Sequence, residues 1–244
     1  MLRALLFFEK NEVMDIKTVL VGNNITNKCE NSLTQMGYRI VKLPEYSYLQ
    51  KAVSNHADML LFYDGNRIIT HKGYYYENKS LFDGLDKEIV LSDEPIGAEY
   101  PNDILFNAVL TERGQLFSKT DYTSILIKEM SKRNINVKQG YTACSTCKVS
   151  PSDYITTDEG LWRAYTENGI NTLIVSKEGI ILPGYDCGFI GGATVCLPEG
   201  VCFFGNALLH PDYEKITEFA DKAGKKIISL SEEKIMDIGG AVVI

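Results

Sequence analysis

The chain has 244 residues, 45% of them hydrophobic and 23% charged, with a formal net charge of −7 at pH 7. That length can bury a substantial core, as one large domain or two small ones. An acidic balance without a Lys/Arg stripe argues against nucleic acid, whose phosphates demand a basic face, and against an anionic membrane surface.

At the start, Leu5-Leu6-Phe7-Phe8 is too short for a signal sequence or a transmembrane span, and Glu9 follows at once; it reads as a folded lead-in. Lys17 to Val21 reads as a strand closed by Gly22, residues 27–37 as a short helix ending at Gly37, and Tyr38 to Leu43 as a second strand stopped by Pro44. The segment 55–62 (NHADMLLF) predicts a strand, Asp64-Gly65 a hairpin, and Arg67 to His71 its partner. A weakly patterned helix over Tyr74 to Gly84 and a strand at Glu88 to Leu91 complete that unit.

The same sequence of elements then recurs. A strand at 102–110 (NDILFNAVL) turns through 112–114, returns at Leu116 to Lys119, and leads to a helix capped by Asp121 and a strand at Ile135 to Val137. Next, Cys144 to Val149 turns at 151–153, returns at Tyr154 to Thr157, and continues as a helix from Asp158 to Asn168, with Trp162 packed in the core, and a strand from Asn171 to Val175. Residues 188–197 (GFIGGATVCL) turn at 198–200 and return as Val201 to Phe204, followed by a helix from Pro211 to Gly224 and a strand from Lys225 to Leu230. The final segment, 237–244, is an opening strand with nothing after it, whereas the first unit began without one.

The two fragments complete one another. Repeats roughly 40 to 50 residues long signal a propeller, an array or a solenoid, and termini that share one unit signal a closed ring without free sheet edges. The fold class expected is α/β: a five-bladed α/β-propeller of ββαβ units in a single domain over 1–244, its first unit closed by the C-terminal strand.

In such a ring the opening ends of the inner strands converge on the axis. Aligning the apolar runs places Asp58, Asn107, Cys147, Gly192 and Gly240 at equivalent positions. His56 and Asp58, two apart on one strand, would project side by side, and a carboxylate that orients an imidazole is a usual acid/base pair. A satisfied structural pair is the alternative. Cys144 and Cys147 would be pocket thiols, ordinary buried cysteines, or two ligands of a metal site needing more, with Cys187 the best addition; a redox dithiol would want a helix N-terminus, whereas Lys148-Val149 continues a strand. One CxxC without a second does not make a metal centre, and none is assigned. Asp103 and Asp237, each opening a strand at the axis, would bind a cationic substrate or cap backbone N–H groups. The pairs Gly191-Gly192 and Gly239-Gly240 would let backbones approach around a narrow axis, or leave space for a ligand. Asp186, in the loop 184–188, could reach a ligand at the pocket mouth. His71 and His210 read as surface or capping residues.

Five pseudo-symmetric ββαβ units, the HADMLLF strand, and the DCGFIGG and closing DIGG segments resemble the pentein superfamily of guanidine-modifying enzymes, and more closely a bacterial family of uncharacterised pentein-like domains. The resemblance covers nearly all of the chain. It implies a cysteine-dependent hydrolase or amidinotransferase-like enzyme acting on a small guanidino or amidino compound. A thiolate would attack the guanidinium carbon, His56 would be the acid/base with Asp58 as its carboxylate partner, and carboxylates would hold the cation, for which Asp103, Asn107, Asp186 and Asp237 are the candidates by position. Those enzymes carry the nucleophile on the closing strand, where this chain has Gly239-Gly240-Ala241, so Cys147 or Cys144 would have to serve. The alternative is a non-catalytic small-molecule-binding or assembly module of the same fold. No cofactor is implied. The partner expected is a small, cationic guanidino ligand, with no nucleic acid and no membrane, and a homo-oligomer is left open. With six scattered cysteines and no mark of secretion, the compartment expected is the cytoplasm.

Overall fold

The computed structural model describes residues 17–244, and the lead-in at 5–8 lies outside the described residues. Five three-stranded sheets follow one plan, an inner strand antiparallel to a middle strand, then a helical crossover to a parallel outer strand. The second unit uses Leu61–Tyr63, Arg67–His71 and Glu88–Ser92; the third, Val109–Leu110, Gln115–Ser118 and Arg133–Asn136. The fourth uses Thr146–Lys148, Asp153–Thr156 and Asn171–Ile174; the fifth, Thr194–Leu197, Gly200–Phe203 and Lys226–Ser229.

The first unit is split as the repeats require. Its middle strand Thr18–Gly22 pairs in parallel with Arg39–Leu43 and antiparallel with Ala241–Val243, in the register Val19 opposite Val243. Thr18 and Ile244 then exchange both backbone hydrogen bonds at 2.9 Å. The chain is therefore a ring: a five-bladed α/β-propeller closed by its C-terminal strand.

Local chemistry explains the crossovers. Thr26 caps the helix Asn27–Gln35, and Asp158 caps Glu159–Glu167 by accepting from the Leu161 N–H at 2.8 Å. Asp121 does not cap the third helix; it lies in a short turn before it, and Ser124 stands at the start of Ile125–Glu129. The weakly patterned stretch of the second unit forms two short helices, Lys72–Glu77 and Lys79–Asp83, the first capped by His71. Trp162 is half-buried rather than a core residue, its indole N–H donating to the Thr172 carbonyl at 3.1 Å.

Five apolar clusters fill the seams, one between each pair of neighbouring units. Leu20 and Leu43 meet Met59 and Tyr74; Phe62 and Ile69 meet Phe106 and Ile127; Val109 and Phe117 meet Tyr154 and Tyr165. Ile155 and Val175 meet Phe203 and Ile216, and Val19 and Leu33 meet Val195 and Phe204. Each blade thus buries its two faces against its neighbours.

The inner strands begin later than the hydrophobic runs imply. The expected strand 55–62 is a one-turn helix, Ala57–Leu60, with His56 at its N-cap, and the ladder starts only at Leu61. Likewise 102–110 yields a two-residue strand, and the segments before Thr146, Thr194 and Ala241 are turns or irregular backbone. Five chains converging on one axis have no room for side-by-side ladders, so their backbone groups bond across to the next unit instead. The Asp58 N–H donates to the Gly239 carbonyl, Gly192 to Cys144, and both Ile238 and Gly240 to Gly192, at 2.7 to 3.3 Å.

A two-stranded parallel ladder, Ile180–Ile181 with Ile235–Met236, lies outside the five blades. It is too short to be legible as a pattern, yet it carries the loop 182–188 beside Asp237, whose N–H donates to Ile181 at 2.9 Å.

Candidate functional site

The ring of cross-unit hydrogen bonds identifies the axial residues. Asn107 closes its third side: its amide donates to the Asp58 carbonyl at 3.3 Å and to the Cys144 sulfur at 3.0 Å, while its Oδ1 accepts from the Ala143 N–H at 2.7 Å. The axial set is therefore Asp58, Asn107, Cys144, Gly192 and Gly240. Cys144 stands where the aligned apolar runs placed Cys147. The turn ahead of Thr146 displaces the fourth unit by three residues, and Cys147 sits within the apolar seam between the fourth and fifth units.

Two cavities flank this layer. One, of about 310 Å³, is bounded by all five inner strands and is lined by Asp58 and Cys147. The other, of about 270 Å³, opens on the side of the turns and is lined by His56, Cys144 and Asp237, with Tyr141, Tyr185, Asp186, Cys187 and Phe189 nearer its mouth. His56 and Asp58 thus do not project side by side, because a helical turn intervenes where a strand was expected. The carboxylate nearest the imidazole is Asp237, with Oδ1 3.9 Å from His56 Nδ1, too long for a hydrogen bond.

Glycines make that approach feasible. A Cβ on Gly192 would strike the Asp237 carboxylate, and one on Gly239, held at φ +79°, would strike His56. Asp237 is fixed by two backbone donors, Phe189 N–H at 2.8 Å and Gly239 N–H at 3.0 Å. It therefore caps backbone groups and lines the cavity at once. His56 and Asp237 are each 1% exposed, and among the described residues neither ring nitrogen of His56 has a hydrogen-bond partner.

Burial sets the charge state. It holds the His56 pKa down at about 4, and pushes Asp237 up to about 6 against the pull of its two backbone donors. Asp58, which lies against the Cys144 thiol, is raised well above the usual carboxylate range by burial and then by the Asp237 charge. Cys144 is raised by burial and by both carboxylates. Burial, with a smaller push from Cys196 and against a hydrogen bond with Thr194, raises Cys147 to about 12. The cavity thus favours a thiol, a neutral imidazole and a protonated Asp58, while Asp237 ionises as pH rises through about 6.

Of the other expected residues, Asp103 lines neither cavity. It is buried behind Tyr141, whose hydroxyl donates to Asp103 Oδ2 at 2.7 Å, because the chain at 101–108 turns rather than running as a strand towards the axis. Asn107 spans the ring rather than facing a ligand. Asp186 is exposed at the cavity mouth. The aromatic wall of Tyr141, Tyr185 and Phe189 was not anticipated; its only trace in the sequence is that aromatic residues punctuate otherwise polar, glycine-rich loops. His71 and His210 cap backbone N–H groups of Gly73 and Asp212 through Nδ1. Among the described residues, no three His, Cys, Asp or Glu side chains converge to hold a metal ion, and no helix is long and apolar enough to cross a membrane.

Solved structures with the same architecture include agmatine deiminase from C. jejuni, with a TM-score of 0.54 and 9% identity over 88% of this chain and 86% of that one. DDAH from Pseudomonas aeruginosa in complex with citrulline gives a TM-score of 0.55 and 8% identity over 93% and 96%. The inosamine-phosphate amidinotransferase of Streptomyces griseus gives 0.53 and 10% over 92% and 91%. At such identities the likeness establishes the fold, which is the pentein fold. No protein in the curated collection matches the sequence. The model of a family of unknown function, DUF6873, matches residues 20–242, and the chain belongs to that family.

Proposed function

We propose that the chain is a thiol-dependent enzyme that transforms a small guanidino or amidino compound, with Cys144 as nucleophile and His56 as proton carrier. The observation that carries the reading is the convergence of Cys144, His56 and Asp237 on one cavity, with Asp58 against the thiol from behind. The likeness in fold to an agmatine deiminase and an amidinotransferase supports the guanidino class.

The pocket, with a neutral His56 and the Asp237 carboxylate, suits a cationic ligand. A guanidinium entering it favours ionisation of Asp237 and Asp58, whose buried charges then have a counter-ion, and the same positive charge lowers the cost of a Cys144 thiolate. His56 accepts the thiol proton as the sulfur attacks the guanidinium carbon and forms an S–C bond. The C–N bond breaks as the departing amine takes the proton from His56. Water, giving a proton to His56, then attacks the S-bound carbon; the S–C bond breaks, the sulfur regains the proton, and a ureido product leaves. An amine in place of water makes the reaction an amidino transfer.

Cys147 is set aside as nucleophile because it faces the opposite cavity and an apolar seam. A second reading, a binding module without chemistry, is favoured by one observation: burial and two carboxylates hold Cys144 as a thiol. Assay of ammonia, amine or urea-type products from guanidino compounds separates the two. Cys144→Ser is expected to lose activity by about three orders of magnitude or more, while Cys147→Ser retains it within a fewfold. Activity that survives Cys144→Ser contradicts the proposal.

A further inference from the structure

The cavity has a floor and a mouth of different chemistry. Its floor is His56, Cys144 and Asp237; its mouth is aromatic and acidic, with Tyr141, Tyr185, Phe189 and Asp186. Of the ten described residues that line it, none is Lys or Arg, and the single basic one, His56, is kept neutral by burial. Lys51 lies in an adjoining recess, and Glu45 engages its ammonium at 2.5 Å. A ligand carboxylate would therefore find no cation in the lining and would stand between Asp186 and Asp237.

The aromatic wall is built to hold its shape. Tyr100, Tyr141 and Phe189 form a run of tilted rings with centroids 5.3 and 5.9 Å apart. Asp103 anchors the Tyr141 hydroxyl at 2.7 Å, and the Tyr185 hydroxyl donates to Gln50, which lines the adjoining recess. Fixed aromatic faces attract cations, and a neighbouring carboxylate adds to the attraction. The ring nitrogens of His56, which lines the same cavity, have no hydrogen-bond partner among the described residues, which marks the cavity as a ligand site rather than a packing defect.

Resting on the reading of the floor as a guanidinium site, the geometry points to a dicationic substrate: a guanidino compound whose far end carries an ammonium and no carboxylate. The aromatic and acidic mouth selects the second charge and rejects guanidino acids and amino acids. Asp103 acts through Tyr141 as a positioning residue.

Calorimetric binding to the Cys144→Ser protein tests this with a matched series, 4-guanidinobutylamine, butylguanidine and 4-guanidinobutyrate. The amine is expected to bind about fivefold more tightly than butylguanidine, and the acid more weakly than either. Asp186→Lys is expected to reverse the order of amine and acid, and Asp186→Asn to shrink the ratio of amine to butylguanidine severalfold. An acid that binds as tightly as the amine overturns the inference. A headless pair, hexylamine and hexanoate, keeps the two readings apart. If no guanidino compound outbinds hexylamine, the floor reading fails; the mouth inference then stands on a preference for hexylamine over hexanoate and falls if there is none.

Discussion

His56 is enclosed with neither ring nitrogen bonded among the described residues, and its pKa sits at about 4, below the ordinary value of about 6.5. The unfolded chain therefore binds a proton that the folded chain refuses. Stability from this group is fully present above about pH 6.5 and is lost as pH falls towards 4. His56→Gln removes that dependence. Urea unfolding at pH 7 and pH 4.5 is expected to show the wild type losing about 2 kcal/mol more than the variant across this interval; equal losses contradict a buried neutral imidazole. Asp237 has the opposite sign. Its pKa is raised to about 6, so its contribution is complete below the unfolded value near 4 and declines as pH rises through 6. Asp237 is half ionised at pH 6, so a guanidinium ligand that completes its ionisation should expel about half a proton there and nearly a whole one at about pH 5. Calorimetry in two buffers of different ionisation heat reads that release directly, and binding without proton release would show that the carboxyl is already charged.

At the scale of elements, the turns before the inner strands place the side chains that matter, and these were the least legible part of the sequence. Period-two reasoning assumes a ladder, and it set His56 beside Asp58 on one strand face. Crowding at the axis replaced that ladder with a one-turn helix and cross-unit bonds, which instead brought Asp237 to His56 and Cys144 to Asp58. The glycine pairs, by contrast, were read for the right physical reason, close approach. Gly192→Ala tests it: the new methyl group must displace the Asp237 carboxylate. The variant is expected to lose about 2–4 kcal/mol of stability, from overpacking together with the broken Phe189 and Gly239 contacts. A fully stable Gly192→Ala protein in denaturant titration would mean that the axis has slack.

For the molecule as a whole, ring closure was legible because it rests on repetition. Five alternations of strand pair, helix and strand, with one unit divided between the two ends, have few other solutions, and pairing of Val19 with Val243 is the one adopted. The short ladder at 180–181 and 235–236 and the aromatic mouth that it supports carry no repeat, so nothing in the pattern announced them. Because every seam has its own apolar cluster, opening one weakens two blades. Truncation after Gly240 strips the inner strand of the first unit and uncovers the middle strand Thr18–Gly22. It is expected to abolish the single cooperative unfolding transition; an unchanged midpoint would show that closure contributes little.

The most direct measurement of the central claim, a nucleophilic Cys144 in a pocket that calls for a planar cation, compares two electrophiles of nearly equal size. Chloroacetamidine carries the positive charge and chloroacetamide does not. Mass spectrometry of the intact and digested protein is expected to show Cys144 alkylated at least about tenfold faster by the amidine, with protection by a guanidino ligand. Equal rates with the two reagents, or modification of the other thiols with Cys144 untouched, would contradict the account.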